Sequence, residues 1–86
     1  MKFVLVLIAV VSSLSAETQP LRVLCWNLHH GVGEDGKLDL PRIAKVIQAA
    51  KPDLVALQEV DQTCTRSGKV DQAAELAKLT GMHGVF

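Results

Sequence analysis

The sequence predicts an α/β fold that opens with a strand–helix–strand unit whose two strands run parallel. Two observations carry this. Arg22 to Leu28 (RVLCWNL) and Asp53 to Val60 (DLVALQEV) are short, apolar and rich in strand-forming residues. Between them, Leu40, Ile43, Ala44, Ile47 and Ala50 recur at the spacing of one buried helical face. A helix joining two strands of one sheet implies parallel strands and a right-handed crossover.

The chain has 86 residues. Lys2, the unbroken apolar run Phe3 to Val11 and the small residues Ser12 to Ala16 follow the order of a secretory signal peptide. The run is far short of the roughly 20 residues a membrane-spanning helix needs. Residues 1–16 are therefore expected to be a cleavable export signal, and the protein periplasmic or extracellular, with no stable membrane span. Cleavage after Ala16 is expected; the bond after Ser15 also qualifies, since it puts Ser13 rather than Leu14 three residues before the cut.

Without the leader, Lys2 is lost, and eight Lys and Arg face nine Asp and Glu. This near-neutral chain has neither the basic stripe of a nucleic-acid binder nor a polybasic arm for anionic lipid. No protein partner is implied. Cys25 and Cys64 are too few for a disulfide framework, and both are read as ordinary small apolar side chains.

Residues 17–20 are a polar lead-in. In the first strand Val23 and Cys25 occupy one face, Leu24, Trp26 and Leu28 the other, which predicts cover on both faces. His29 to Leu38 is a glycine-rich polar loop. Asp39 can cap the following helix, Pro41 fits its first turn, and Lys51-Pro52 ends it. Leu54-Val55-Ala56-Leu57 suits a buried parallel strand. After a second polar loop, Asp61 to Lys69, a helix is expected over Asp71 to Thr80, with Ala74, Ala77 and Val70 inward and Gly81 just past its end. Met82 to Phe86 is expected to begin a further strand. Two strands and two helices leave open sheet edges, so 21–86 is read as the first part of a truncated domain.

Asn27 and Glu59 both fall at the carboxyl ends of the two strands, where open α/β sheets bind ligands. Counting by twos aligns Val23, Cys25 and Asn27 on one face, and Val55, Leu57 and Glu59 on one face, which suggests that both polar groups converge above one apolar floor. A carboxylate and an amide oxygen are hard ligands suited to Mg²⁺ or Mn²⁺, and Mg²⁺ often takes only one or two carboxylates plus water and phosphate. Spacing alone favours the plainer reading, a Glu59 side chain in solvent at the strand end and an Asn27 that caps the turn.

The run CWNLHHG (Cys25 to Gly31), followed after one helix by KPDLVALQEVD (Lys51 to Asp61), resembles the first two motifs of the endonuclease/exonuclease/phosphatase family, which has the pancreatic deoxyribonuclease fold. The shared features are an Asn after an aromatic residue at the end of strand one and P-D-x-x-x-x-Q-E at the next strand. TRSGKVDQAAELAKLTGMH (Thr65 to His83) is similar to the segment that follows in exported bacterial members. The resemblance covers about residues 21–86. It implies the strand–helix–strand–helix start of a four-layer α/β/β/α sandwich and metal-dependent hydrolysis of a phosphoester, usually with Mg²⁺. By position, Glu59 would ligate the metal and Asn27 would lie near metal and phosphate. The family's water-activating Asp and His, and its Asp-x-Asn pair, come later and have no counterpart here; His83 is too early to serve. The fragment by itself is therefore expected to be inactive. Its substrate would be a nucleic acid, an inositol phosphate or a phospholipid head group, which these residues do not distinguish.

His29, His30 and Arg66 are further candidates for contact with the substrate phosphate, Arg for its bidentate fit to phosphate oxygens; solvated loop positions are the competing account of all three. Gly31-Val32-Gly33-Glu34-Asp35-Gly36 matches the G-x-G-x-x-G of a dinucleotide-binding oxidoreductase, with Glu59 near its acidic position. Against this, the helix starts after the last glycine, and Glu34 and Asp35 would oppose a pyrophosphate. The remaining alternative is a non-catalytic secreted remnant.

Overall fold

The computed structural model describes residues 18–86; the expected export signal lies outside them. The chain is a small mixed α/β unit of two strands and two helices. Strand β1 is Val23–Asn27, helix α1 Leu40–Ala50, strand β2 Leu54–Gln58 and helix α2 Gln72–Thr80. β1 and β2 pair in parallel, from Val23 beside Leu54 to Asn27 beside Gln58.

Local chemistry sets these boundaries. The Asp39 carboxylate accepts the Arg42 N–H at 3.0 Å and caps α1, with Pro41 in the first turn; such a cap is worth about 1 kcal/mol. Lys51 turns left-handed at φ 50° and Pro52 prevents continuation. Asp71 caps α2 through the Ala74 N–H at 3.1 Å, and Gly81 ends it at φ 74°. Arg22 pins the strand register: its side chain donates twice to the Ala50 carbonyl, its N–H donates to Asp53 Oδ2, and its carbonyl accepts from Asp53 and Leu54.

Both helices cover one face of the sheet. Leu28, Leu40, Ile43, Ala44, Ile47 and Leu76 form the buried core, and Leu24, Trp26, Val55 and Leu57 pack against it. Each large side chain buried this way contributes about 1.5–3 kcal/mol. The other face is open, contrary to the expected double cover: Val23 is 53% and Leu54 55% exposed, and Cys25 and Ala56 are exposed beside them. Both helices of the described chain pack on the Leu24/Trp26 side.

The α1 stripe is as expected, with Ala50 only half-buried. In α2 the inward residues are Gln72 and Leu76; Ala77 is half-buried, whereas Ala74 and Val70 are exposed. The rotation follows from Gln72, whose amide is engaged beneath both loops at the carboxyl ends of the strands. Met82 to Phe86 forms no strand; Gly84 lies against Ala73 and Ala77 of α2. Among the described residues, no helix is long and apolar enough to cross a membrane.

Candidate functional site

Asn27 and Glu59 meet. The Asn27 Nδ2 donates to Glu59 Oε2 at 2.9 Å. The route differs from a count by twos. In a parallel pair, residues in register share a face, so Asn27 shares one with Gln58. Strict alternation would therefore send Glu59 to the opposite side, with Leu57 and Trp26. Instead Glu59 leaves the strand at φ 56°, which ends the alternation and brings its carboxylate to Asn27. The strand ladder runs on past this point, with the Leu28 N–H on the Gln58 carbonyl at 2.9 Å and the His30 N–H on the Glu59 carbonyl at 2.8 Å.

The amide orientation has a physical reason. Asn27 Oδ1 accepts the His29 N–H at 3.0 Å, which leaves the NH₂ group for the carboxylate. Asn27 thus fixes one oxygen of Glu59, and the other stays open at an exposed position. A hard, oriented carboxylate oxygen fits Mg²⁺ or Mn²⁺. Direct ligation by Asn27 would use the second lone pair of Oδ1. Among the described residues, no three His, Cys, Asp or Glu side chains gather as a metal cage. A Mg²⁺ held here would take most of its shell from water and phosphate oxygens.

The loop after β1 is held in an unusual shape. His29, His30 and Gly31 all have positive φ, at 48°, 45° and 87°; two consecutive non-glycine residues there store strain that the surroundings must hold. The imidazoles lie 4.5 Å apart, tilted at 45°. Gln72 holds the turn from below. Fully buried, it donates Nε2 to the His30 carbonyl at 2.8 Å and accepts the Asp61 N–H on Oε1 at 2.9 Å. One side chain of α2 therefore ties together the loops that follow both strands. No sequence signal pointed to it: a Gln in the first turn of a helix is ordinarily solvated.

Asp61, two residues past Glu59, is buried and triply engaged. Its carboxylate accepts Arg66 Nε at 2.8 Å, Arg66 Nη2 at 2.7 Å and Ser67 Oγ at 2.7 Å. The Arg66 and Ser67 hydrogen bonds hold its carboxyl below the usual carboxylate range, with His30 adding to the effect. The hydrogen bond to Asp61, with smaller contributions from the charges of Asp61, Cys64 and Glu59, raises the Arg66 guanidinium. The Arg66 side chain is 61% exposed, against 5% for Asp61. Of the residues singled out from sequence, Asn27 and Glu59 are in direct contact, His30 shares a backbone bond with Glu59, and Arg66 stands beside Asp61. His29 joins through its N–H to Asn27.

The glycine-rich loop closes on itself. Val32 bridges Leu38, Arg42 pairs with Asp35 at 2.8 Å, and Gly33 lies against the Arg42 side chain. Arg42 holds the Asp35 carboxyl down at about 2. The amino end of α1 is taken by the Asp39 cap. A cleft of ≈ 760 Å³ runs from Glu59 along Val55 and Leu57 of β2 to the tail at 82–86, with Leu76 and His83 on its wall. Cys25 and Cys64 are free thiols. No protein-family model, curated protein or solved structure matches the chain.

Proposed function

We propose that this chain is part of a metal-dependent phosphoester hydrolase, with Glu59 as a ligand of Mg²⁺ or Mn²⁺ and Asn27 as the residue that orients it. The contact between Asn27 Nδ2 and Glu59 Oε2 carries the reading. Two chain segments deliver an amide and an acid, 32 residues apart in sequence, to the carboxyl ends of adjacent parallel strands, where ligands of such sheets bind. The resemblance to the endonuclease/exonuclease/phosphatase family adds the reaction class. With it come the four-layer sandwich and a phosphoester substrate in the form of a nucleic acid, an inositol phosphate or a phospholipid head group; the exported location rests separately on the signal-peptide pattern of residues 1–16.

A bound divalent cation would polarise a phosphoryl oxygen and neutralise the charge that develops on it. The chain's own part is to hold that cation at one fixed carboxylate oxygen. Asn27 removes the rotational freedom of Glu59, as a hydrogen-bonded outer partner does for a metal ligand. The water-activating groups that the resemblance implies have no counterpart in these 86 residues, so this stretch alone is proposed to be inactive.

Two measurements test this. Mn²⁺ titrated into the 86-residue chain and followed by electron paramagnetic resonance should show one weak site that Glu59→Gln removes. Hydrolysis of a phosphodiester and a phosphomonoester by the product of the complete gene should require Mg²⁺ and fall by at least about a hundredfold in Glu59→Gln. Unchanged Mn²⁺ binding in that variant would overturn the assignment.

A further inference from the structure

We propose that Asp61, two residues past Glu59, is a positioning residue: it fixes the Arg66 guanidinium on the loop that leaves Glu59, so that a phosphate group is bound jointly by the cation on Glu59 and by the free edge of Arg66. This rests on the reading of Glu59 as a divalent-metal ligand. The argument starts from the donors of Arg66. A guanidinium has five N–H groups. Nε and Nη2 each give one to Asp61, and the remaining three face outward on a side chain that is 61% exposed. Asp61 itself cannot swing: it is buried, also bound by Ser67 Oγ, and its backbone N–H sits on Gln72. The guanidinium plane is thus fixed by a fixed carboxylate.

The pair Asp35–Arg42 shows what a loop clasp looks like in the same chain. There both partners are about equally exposed, and Arg42 spends a further hydrogen bond on the Lys37 carbonyl. Arg66 has no such backbone acceptor among its hydrogen bonds; both run to Asp61. Its open edge is the arrangement that planar recognition of a phosphate uses. Charge sets the order of events. Glu59, Asp61 and Arg66 together carry one excess negative charge, so a free anion is repelled until a divalent cation has bound.

The experiment uses the ¹⁵N-labelled 86-residue chain, Mn²⁺ or Mg²⁺ as cation and inorganic phosphate as probe. The Arg66 Nε–H resonance should be resolved and slow to exchange, and phosphate should shift it saturably in the presence of Mg²⁺ and much less in its absence. Asp61→Asn should abolish the slow exchange and weaken phosphate by about five- to tenfold, the loss of one well-placed charge-assisted contact, while Mn²⁺ affinity changes less than about twofold. Arg66→Lys should weaken phosphate at least as much, since an ammonium cannot present two parallel donors. Ser67→Ala, which keeps every charge, should weaken phosphate by about two- to threefold through a looser Asp61, and it decides the matter if Asp61→Asn loses its dispersed spectrum. Phosphate affinity that is unchanged or tighter in Asp61→Asn, or in Ser67→Ala where that variant decides, overturns the proposal. Normal phosphate dependence combined with Mn²⁺ binding indifferent to Glu59→Gln would instead overturn the metal assignment on which it rests.

Discussion

Asn27 and Glu59 touch at 2.9 Å although the strand register assigns them to opposite faces of the sheet. The contact exists because Glu59 adopts φ 56° just beyond β2. A left-handed backbone at a non-glycine residue costs on the order of 1–2 kcal/mol. Here it is held by the Glu59 carbonyl on the His30 N–H and by the side-chain bond to Asn27.

The first prediction concerns charge at this contact. Asn27→Asp replaces the amide donor by a second carboxylate, and affinity for oxygen-liganded divalent cations rises with ligand charge. Mn²⁺ affinity of the 86-residue chain should rise by roughly three- to tenfold, whereas Asn27→Ala should lower it as Glu59 loses its orientation. Electron paramagnetic resonance titrations read both. An Asn27→Asp chain that binds no tighter would separate Asn27 from the metal site.

Gln72 gives a second. Its removal in Gln72→Ala leaves the Asp61 N–H and the His30 carbonyl without their partner and opens a cavity under the loops. The expected cost is about 2–4 kcal/mol, from unpaired buried polar groups plus lost packing. Urea unfolding measures the loss, and amide exchange at Asp61 should accelerate in step. A change below about 0.5 kcal/mol, the scale of an ordinary surface substitution, would deny Gln72 this role.

Gly31 and Gly36 separate backbone strain from crowding. Both have positive φ, 87° and 78°, yet a Cβ at Gly31 would stand 2.9 Å from Gln72 Nε2 and 3.2 Å from Leu40 Cδ2, while one at Gly36 meets nothing within 4 Å. Gly36→Ala should cost only the left-handed penalty of about 1–2 kcal/mol. Gly31→Ala should cost about 1–3 kcal/mol more, as the crowded Gln72 and Leu40 side chains are displaced. Equal denaturation midpoints for the two variants would contradict the crowding seen at Gly31.

Acid should open the glycine-rich loop. Arg42 lowers the Asp35 carboxyl from 3.8 to about 2. A depressed carboxylate stabilises the fold above its unfolded pKa, and that contribution is lost as pH falls through the folded value. The stability difference between the native chain and Asp35→Asn should therefore be constant from neutrality to about pH 5, shrink between about pH 4 and 2, and be small because the pair is exposed. Added salt should shrink it at neutral pH as well. A difference that grows on acidification would reverse the sign and exclude the ion pair as its cause.

Local pattern and tertiary contact divide the description between them. The helix α1 with its Asp39 cap, its buried stripe from Leu40 to Ile47 and its stop at Lys51-Pro52 was readable because each feature depends on residues within one or two turns. The parallel pairing of the strands followed from the helix between them, and with it the nearness of Asn27 and Glu59. The count by twos misjudged the face: it set Asn27 and Glu59 above one floor, whereas the register pairs Asn27 with Gln58 and leaves Glu59, by alternation, on the other side. Alternation is a property of an unbroken strand, and it ends where Glu59 turns left-handed under a hydrogen bond from His30. The inward face of α2 was likewise settled by Gln72 reaching two loops distant in sequence, and the burial of Asp61 by Arg66 and Ser67 folding over it. Short-range energetics are written in consecutive residues; the direction in which a polar side chain points at the end of a strand depends on partners that only the folded chain brings within 3 Å.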